Sequence, residues 1–117
     1  MGADWARPVV LWGLGARNPE AQADFYRRLA NWEIGPGPFM TVAAGLGGPE
    51  PGPGGLIIGA ERPGFSIYIQ VADLPAALTL VQDLGGKALT GPIDQPDGAT
   101  FALAEDPEGN HIGLVQQ

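Results

Sequence analysis

One histidine stands alone among the side chains that could transfer a proton at neutral pH. His111 is the only histidine of the chain, which has no cysteine. An imidazole titrates near neutrality, so His111 is the natural candidate for general acid–base catalysis. Its alternative interpretation is an ordinary exposed side chain, because it directly follows a turn-forming segment.

Tyr68 is the second candidate, and its phenol could orient a hydroxyl or carbonyl group of a ligand. The alternative is that its ring only fills space. A serine–histidine–aspartate arrangement is not indicated, because the single histidine has no placed partner. Glu33 and Asp94 are interpreted as surface charges. A dinucleotide fingerprint is excluded because Gly13-Leu14-Gly15 lacks the third glycine, and the chain carries no phosphate loop.

The composition favours one small domain and argues against several partners. The 117 residues carry a net charge of −7 with only six lysines and arginines, so we expect no nucleic-acid or anionic-membrane binding. The absence of cysteine means that stability does not depend on disulfides. No apolar run approaches about 18 residues and the start lacks an apolar signal segment, so we expect a cytoplasmic protein.

Local patterns predict a strand–helix–strand–strand–strand unit in the first half. Residues 9–14 form an apolar run typical of a strand. Asn18-Pro19-Glu20 is a helix start, with a capping residue, a proline at the first helical position and an acid in the first turn. Ala21, Phe25 and Leu29, with Tyr26, recur at helical spacing as far as about Ala30. Three short strands are predicted at 32–34, 39–43 and 56–58.

The second half repeats this order. Residues 66–71 alternate between polar and apolar side chains, as in a strand with two unlike faces. Asp73 caps a helix that Gly85-Gly86 ends. The apolar spacing predicts that its inner face consists of Leu74, Ala77, Leu78, Val81 and Leu84. Strands are predicted at 87–90, 100–105 and 111–116. Glycine and proline dominate residues 45–55, which we interpret as either a mobile flap or a plain connection.

The two halves of the sequence align with an offset of 55 residues. In this alignment Leu11 corresponds to Ser66, Asn18 to Asp73 and Phe25 to Leu80. This order, the Asn18-Pro19-Glu20 helix start and the closing motif Asp106-Pro107-Glu108-Gly109-Asn110-His111 resemble the vicinal oxygen chelate superfamily. That group contains glyoxalase I, bleomycin-resistance proteins and extradiol dioxygenases. The resemblance implies an α+β fold in a single domain, residues 1–117. Two tandem β-α-β-β-β modules, at about 8–60 and 64–117, would form a curved mixed sheet around a cavity with pseudo-twofold symmetry.

In the metal-dependent members of this superfamily, the first and last strands of each module supply the ligands, typically His or Gln and Glu. The corresponding positions are Leu11 and Ser66 on the first strands and Gly113 on the final strand, while residues 56–58 offer no carboxylate. Divalent metals need imidazole, carboxylate or thiolate donors. We therefore expect no metal and no other cofactor.

If Leu11 and Ser66 point into the cavity, strand alternation places further residues there. The predicted ligand-binding residues are Leu11, Gly13, Ser66, Tyr68, Gln70, His111 and Gly113, with Trp32 and Phe39 at the edge. The alternative is that these faces pack together or form a dimer interface.

Three functions remain open. The first is a metal-free binding protein of the bleomycin-resistance type, which sequesters an apolar or aromatic small molecule. The second is a metal-independent lyase, isomerase or cyclase that uses Tyr68, Gln70 and His111. The third is a non-catalytic accessory or interaction module. Small members of the superfamily pair, so a homodimer is expected.

Overall fold

Two helices alternate with eight strands in the computed structural model, which describes residues 6–44, 52–96 and 98–116. The α+β class is thereby confirmed, and each half begins with a strand followed by a helix and further strands. The predicted flap or connection falls mainly on residues 45–51, which lie outside the described residues. The elements, in chain order, are β1 (Val9–Ala16), α1 (Pro19–Ala30), β2 (Phe39–Val42), β3 (Gly55–Gly59), β4 (Gly64–Gln70), α2 (Leu74–Asp83), β5 (Lys87–Ala88), β6 (Ile93–Asp94), β7 (Thr100–Glu105) and β8 (His111–Gln116).

The chain divides into two compact units. The first unit is Leu11–Ser66, and the second unit is Met1–Val10 together with Ile67–Gln117. No helix among the described residues is long and apolar enough to cross a membrane.

Helix α1 begins and ends where its sequence predicts. The Asn18 side chain accepts a hydrogen bond from the Ala21 N–H at 3.2 Å, and Pro19 occupies the first helical turn. The helix ends at Asn31, which adopts the left-handed conformation with φ of 57° and donates its N–H to the Arg27 carbonyl at 3.0 Å. These caps satisfy backbone groups that a helix end leaves without partners.

The buried face of α1 differs from the predicted one. Phe25 and Leu29 are 54% and 69% exposed, whereas Ala23 is fully buried and Tyr26 packs against the core. Two rows of side chains on α1 follow the helical period: one contains Phe25 and Leu29, the other Pro19, Ala23 and Tyr26. Periodicity alone therefore could not predict which row is buried. The small Ala23 side chain fits here because the sheet beneath it already supplies bulky residues.

In the first unit, β3 lies between β1, to which it is parallel, and β2, to which it is antiparallel. The register aligns Leu14 with Ile57 and Ile57 with Met40, and these side chains form the core under α1 with Ala16 and Val42. The predicted strand at 32–34 is wrong: it is reduced to a bridge between Ile34 and Val42. Alternating glycines and prolines at 35–38 follow it directly and break the pairing.

In the second unit, β8 lies between β4, to which it is parallel, and the antiparallel β7. Strand β7 also pairs with the two-residue strands β5 and β6, of which β6 was not predicted and β5 is shorter than predicted. Helix α2 covers one face through Leu74 and Leu78, which pack on Ala102 and Leu114. Leu84, predicted on this inner face, is exposed because it caps the end of the helix.

Candidate ligand-binding site

The candidate site is the face of the second unit that points away from α2. Because side chains alternate along a strand, the residues next to those under α2 project from this opposite face. It carries Tyr68 and Gln70 on β4, His111, Gly113 and Val115 on β8, and Phe101, Leu103 and Glu105 on β7. Four of the predicted ligand-binding residues, Tyr68, Gln70, His111 and Gly113, therefore share one sheet face. Ser66 lies two residues before Tyr68 on β4 and is half-buried.

The centre of this face is a ring resting on a glycine. Tyr68 and Gly113 are direct partners across β4 and β8. A Cβ atom placed on Gly113 would lie 2.5–2.6 Å from three atoms of the Tyr68 ring, so only glycine leaves room for the ring. The Phe101 ring lies beside it, with 6.0 Å between centroids and 47° between planes. Tyr68, Phe101 and Val115 are each at most 2% exposed, and we refer to these three as the floor of the site.

Burial also makes the Tyr68 phenol harder to ionise. Removal of the phenol from water raises the pKa of Tyr68 from 10.0 to about 12, because a low-polarity environment disfavours the phenolate. The hydroxyl group is therefore protonated at neutral pH and can donate a hydrogen bond.

A carboxylate–imidazole pair lies on the same face. Glu105 and His111 are cross-strand partners on β7 and β8, with 3.2 Å between Glu105 Oε2 and His111 Nε2 and side chains 25% and 33% exposed. A carboxylate only accepts hydrogen bonds, so His111 Nε2 is the donor in this contact. Glu105 was missed by sequence analysis, although it and His111 flank the predicted turn symmetrically and could have been paired across it.

The turn between these two residues is held by Asp106. Its Oδ1 accepts hydrogen bonds from the N–H groups of Glu108 and Asn110 at 3.0 and 2.9 Å, and its Oδ2 accepts one from Asn110 Nδ2 at 2.9 Å. The Asn110 side-chain bond is the main reason why the pKa of Asp106 is lowered. Gly109, with φ of 87°, completes a turn that a residue with a side chain would strain.

The remaining predicted residues belong to the first unit. Leu11 and Gly13 project from the face of β1 away from α1, and Phe39 does so at the start of β2. Trp32 lies instead on the α1 side, stacked on Tyr26 at 4.8 Å and 15° and 5.0 Å from Trp12. Its ring fills the gap between helix and sheet, so it is separated from the face that carries Leu11.

Sequence analysis also missed an open pocket in the first unit. The pocket has a volume of about 590 Å³ and is lined by Arg17, Gly59, Ala60 and Glu61. Arg17 Nε donates a hydrogen bond to the Glu61 carbonyl at 2.9 Å. The pocket lies at the carboxyl ends of the parallel strands β1 and β3, where no sequence motif marked it.

Residues 10–115 match the family model described as a glyoxalase-like domain. The chain belongs to the glyoxalase-like family. This confirms membership of the vicinal oxygen chelate superfamily. None of the curated proteins matches the sequence.

One solved structure similar to this glyoxalase-like chain is methylmalonyl-CoA epimerase in complex with methylmalonyl-CoA and NH4+. The TM-score is 0.62 and the sequence identity is 15%, and the alignment covers 95% of this chain and 94% of that chain. A variant of the Streptomyces coelicolor methylmalonyl-CoA epimerase, bound to 2-nitronate-propionyl-CoA, has a TM-score of 0.61, 15% identity and 94% coverage of both chains. A glyoxalase/bleomycin resistance protein/dioxygenase superfamily member from Vibrio splendidus 12B01 has a TM-score of 0.58, 15% identity and coverage of 96% and 100%. At these identities the similarity establishes the fold alone.

The glyoxalase-like fold raises the question of a metal, and the residues present do not fit one. The register selects Leu56 as the last-strand position of the first unit, because it pairs with Gly13 as Gly113 pairs with Tyr68. The four positions that correspond to metal ligands thus hold Leu11, Leu56, Ser66 and Gly113. None offers an imidazole, carboxylate or thiolate. In the part of the chain that the structure describes, no three such side chains cluster closely enough to hold a metal ion.

Proposed function

We propose that this glyoxalase-like protein binds a small apolar or aromatic compound without a metal and sequesters it, as proteins of the bleomycin-resistance type do. The observation that carries the proposal is the pairing of Tyr68 with Gly113. At the final-strand position where relatives are expected to hold an acidic metal ligand, this chain has a glycine covered by an aromatic ring. Replacement of the carboxylate by glycine removes charge from this position and leaves room for the aromatic ring.

The composition of the site face supports this proposal. Tyr68, Phe101 and Val115 give an apolar floor, and Gln70, Glu105 and His111 are half-buried polar groups around it. A few polar groups around an apolar surface are typical of sites that bind small organic molecules.

A thermal-shift screen against hydrophobic metabolites and antibiotics, with a chelator present, tests the proposal. A compound that binds only the folded protein raises the melting temperature, Tm, by mass action. We expect hits whose Tm increase is reduced by Gln70→Ala and by His111→Ala. The matched control is Gln22→Ala, since Gln22 is exposed on α1. The absence of any stabilising compound would favour the third function, a non-catalytic accessory module.

The hydrogen-bonded pair of Glu105 and His111 favours a second candidate function, a metal-independent lyase, isomerase or cyclase. Contact with Glu105 holds the imidazole of His111 on the site face, and an imidazole is the side chain best suited to transfer a proton at neutral pH. His111→Gln separates the two functions. It would abolish turnover of a substrate, whereas it would change the affinity of a sequestered ligand only modestly.

We also propose a homodimer, the state expected for small members of the superfamily. Phe25 and Leu29 on α1, and Leu80 and Leu84 at the equivalent places of α2, are large apolar side chains that are more than half exposed. Sedimentation equilibrium of the purified protein, compared with Phe25→Glu and Leu80→Glu, tests this. A monomer at all concentrations would refute it.

A further inference from the structure

The Tyr68 hydroxyl is a polar group on an almost completely buried side chain. Tyr68 is 2% exposed, and no described residue forms a hydrogen bond with its hydroxyl. Burial alone accounts for its raised pKa, with no contribution from a hydrogen bond. Polar groups on buried side chains are almost always paired with protein, water or ligand, so the partner of this hydroxyl comes from outside the chain.

The hydroxyl oxygen must also reach the accessible surface. Among the described residues, every side-chain oxygen or nitrogen that is fully buried has a hydrogen-bond partner. The Tyr68 oxygen has none, so it is not fully enclosed. The ring thus rests on Gly113 and lies beside Phe101, while its hydroxyl oxygen keeps some accessible surface.

We infer that the Tyr68 hydroxyl donates a hydrogen bond to an uncharged carbonyl group of the bound compound. This inference rests on the proposed function and adds the chemical class of the ligand. Gly113 is a positioning residue, since the absence of its side chain allows the ring to lie where it does.

The surroundings select a neutral acceptor. The phenol is protonated at neutral pH, so its O–H can donate a hydrogen bond to such an acceptor. Phe101 and Val115 offer no charge to a buried anion, and the nearby Glu105 carboxylate, in a chain of net charge −7, repels one. Burial of an unpaired charge is costly, whereas a ketone, ester or amide oxygen needs only one donor. The ligand class is therefore an apolar or aromatic compound that carries such a carbonyl.

Stability without ligand provides the first test. Removal of an unpaired buried hydroxyl leaves no protein group without a partner, so Tyr68→Phe is expected to keep or raise the Tm. Tyr26→Phe, the matched variant of the only other tyrosine, controls for removal of a phenol elsewhere. A clear decrease in Tm for Tyr68→Phe would show that the hydroxyl bonds to the protein and would overturn the inference.

A pair of probes with the same shape provides the second test. Acetophenone carries a carbonyl, and α-methylstyrene replaces the oxygen with a methylene group. Ligand-observed NMR titration of wild type, Tyr68→Phe and Tyr26→Phe should show acetophenone binding weakened by about three- to tenfold in Tyr68→Phe alone, as expected for one neutral hydrogen bond. Binding of α-methylstyrene should not change.

The outcomes separate this inference from the function on which it rests. If acetophenone binds Tyr68→Phe as tightly as wild type, or if both probes weaken equally, the inference is wrong and small-molecule binding stands. If neither probe binds the wild-type protein, both the proposed site and the inference are refuted.

Discussion

The ring of Tyr68 covers the backbone of Gly113, its direct partner on the neighbouring parallel strand. The first unit contains a comparable pair, in which Trp12 covers Gly55 on β3. Within its own unit, Trp12 lies on the helix side of the sheet, whereas Tyr68 lies on the side away from its helix. An aromatic ring over a glycine therefore contributes to the core in the first unit and to the candidate site in the second unit.

A methyl group at position 113 should disturb this contact. Gly113→Ala places Cβ about 2.5 Å from the Tyr68 ring, and overpacking of this kind costs about 1–3 kcal/mol. We expect the free energy of unfolding to fall by that amount in urea denaturation. Gly59→Ala is the matched control, since its Cβ would meet only Pro19 Cγ at 3.8 Å.

The two residues should also be energetically coupled. In a Tyr68→Ala background, Gly113→Ala should cost much less, because the ring that it meets is absent. Equal costs in both backgrounds would show that the ring does not lie on Gly113.

Alkaline pH should destabilise the protein through Tyr68. Its pKa is about 12 in the folded protein against 10.0 in the unfolded chain, so the unfolded chain loses this proton first as the pH rises. Stability from this residue is complete below pH 10 and decreases by about 2–3 kcal/mol by pH 12. Denaturation curves across this range should show the decrease in wild type beyond that in Tyr68→Phe. Parallel curves for the two proteins would contradict the burial of the phenol.

The tautomer of His111 should depend on Glu105. With Nε2 hydrogen-bonded to the carboxylate at 3.2 Å, the neutral ring should carry its proton almost entirely on Nε2. Because His111 is the only histidine, ¹⁵N-labelled histidine gives a single pair of ring signals from which the tautomer can be read. Glu105→Leu should lower the Nε2–H fraction, and a dominant Nδ1–H form in wild type would exclude the described pair.

Asp106 should make the β7–β8 turn sensitive to acid. Hydrogen bonds, chiefly from the Asn110 side chain, hold its pKa below the ordinary value of 3.8, so its contribution is present above that pH and is lost as the pH falls through the lowered value. Asp106→Ala should lower the Tm at neutral pH and remove this part of the acid dependence. Asp24→Ala, which breaks only an exposed ion pair with Arg28, should have little effect. Equal effects of the two variants would argue against the turn network.

Local signals in the sequence predicted the elements well. Strands β7 and β8 have the predicted bounds because alternation and the turn at 106–110 act within a few residues. Asn18 and Asp73 cap the helices as predicted, since capping depends on the side chain's own backbone neighbours.

The features that were missed depend on contacts between distant residues. Phe25 and Leu29 recur at helical spacing, but two rows of residues on α1 fit that spacing, and only contact with the sheet decides which row is buried. The pairing of Glu105 with His111 requires the hairpin register, and the Arg17 pocket requires the ends of β1 and β3 to be side by side. Alternation did place Tyr68, Gln70, His111 and Gly113 on one face, but the contact between Tyr68 and Gly113 could be seen only in three dimensions.

The central claim is that an organic ligand binds at the Tyr68 face without a metal. The most direct test is calorimetric titration of a screening hit into protein dialysed against chelator, before and after addition of divalent metal ions. We predict that the affinity is the same in both conditions and falls in Tyr68→Phe. Binding that appears only when metal is added would contradict the account.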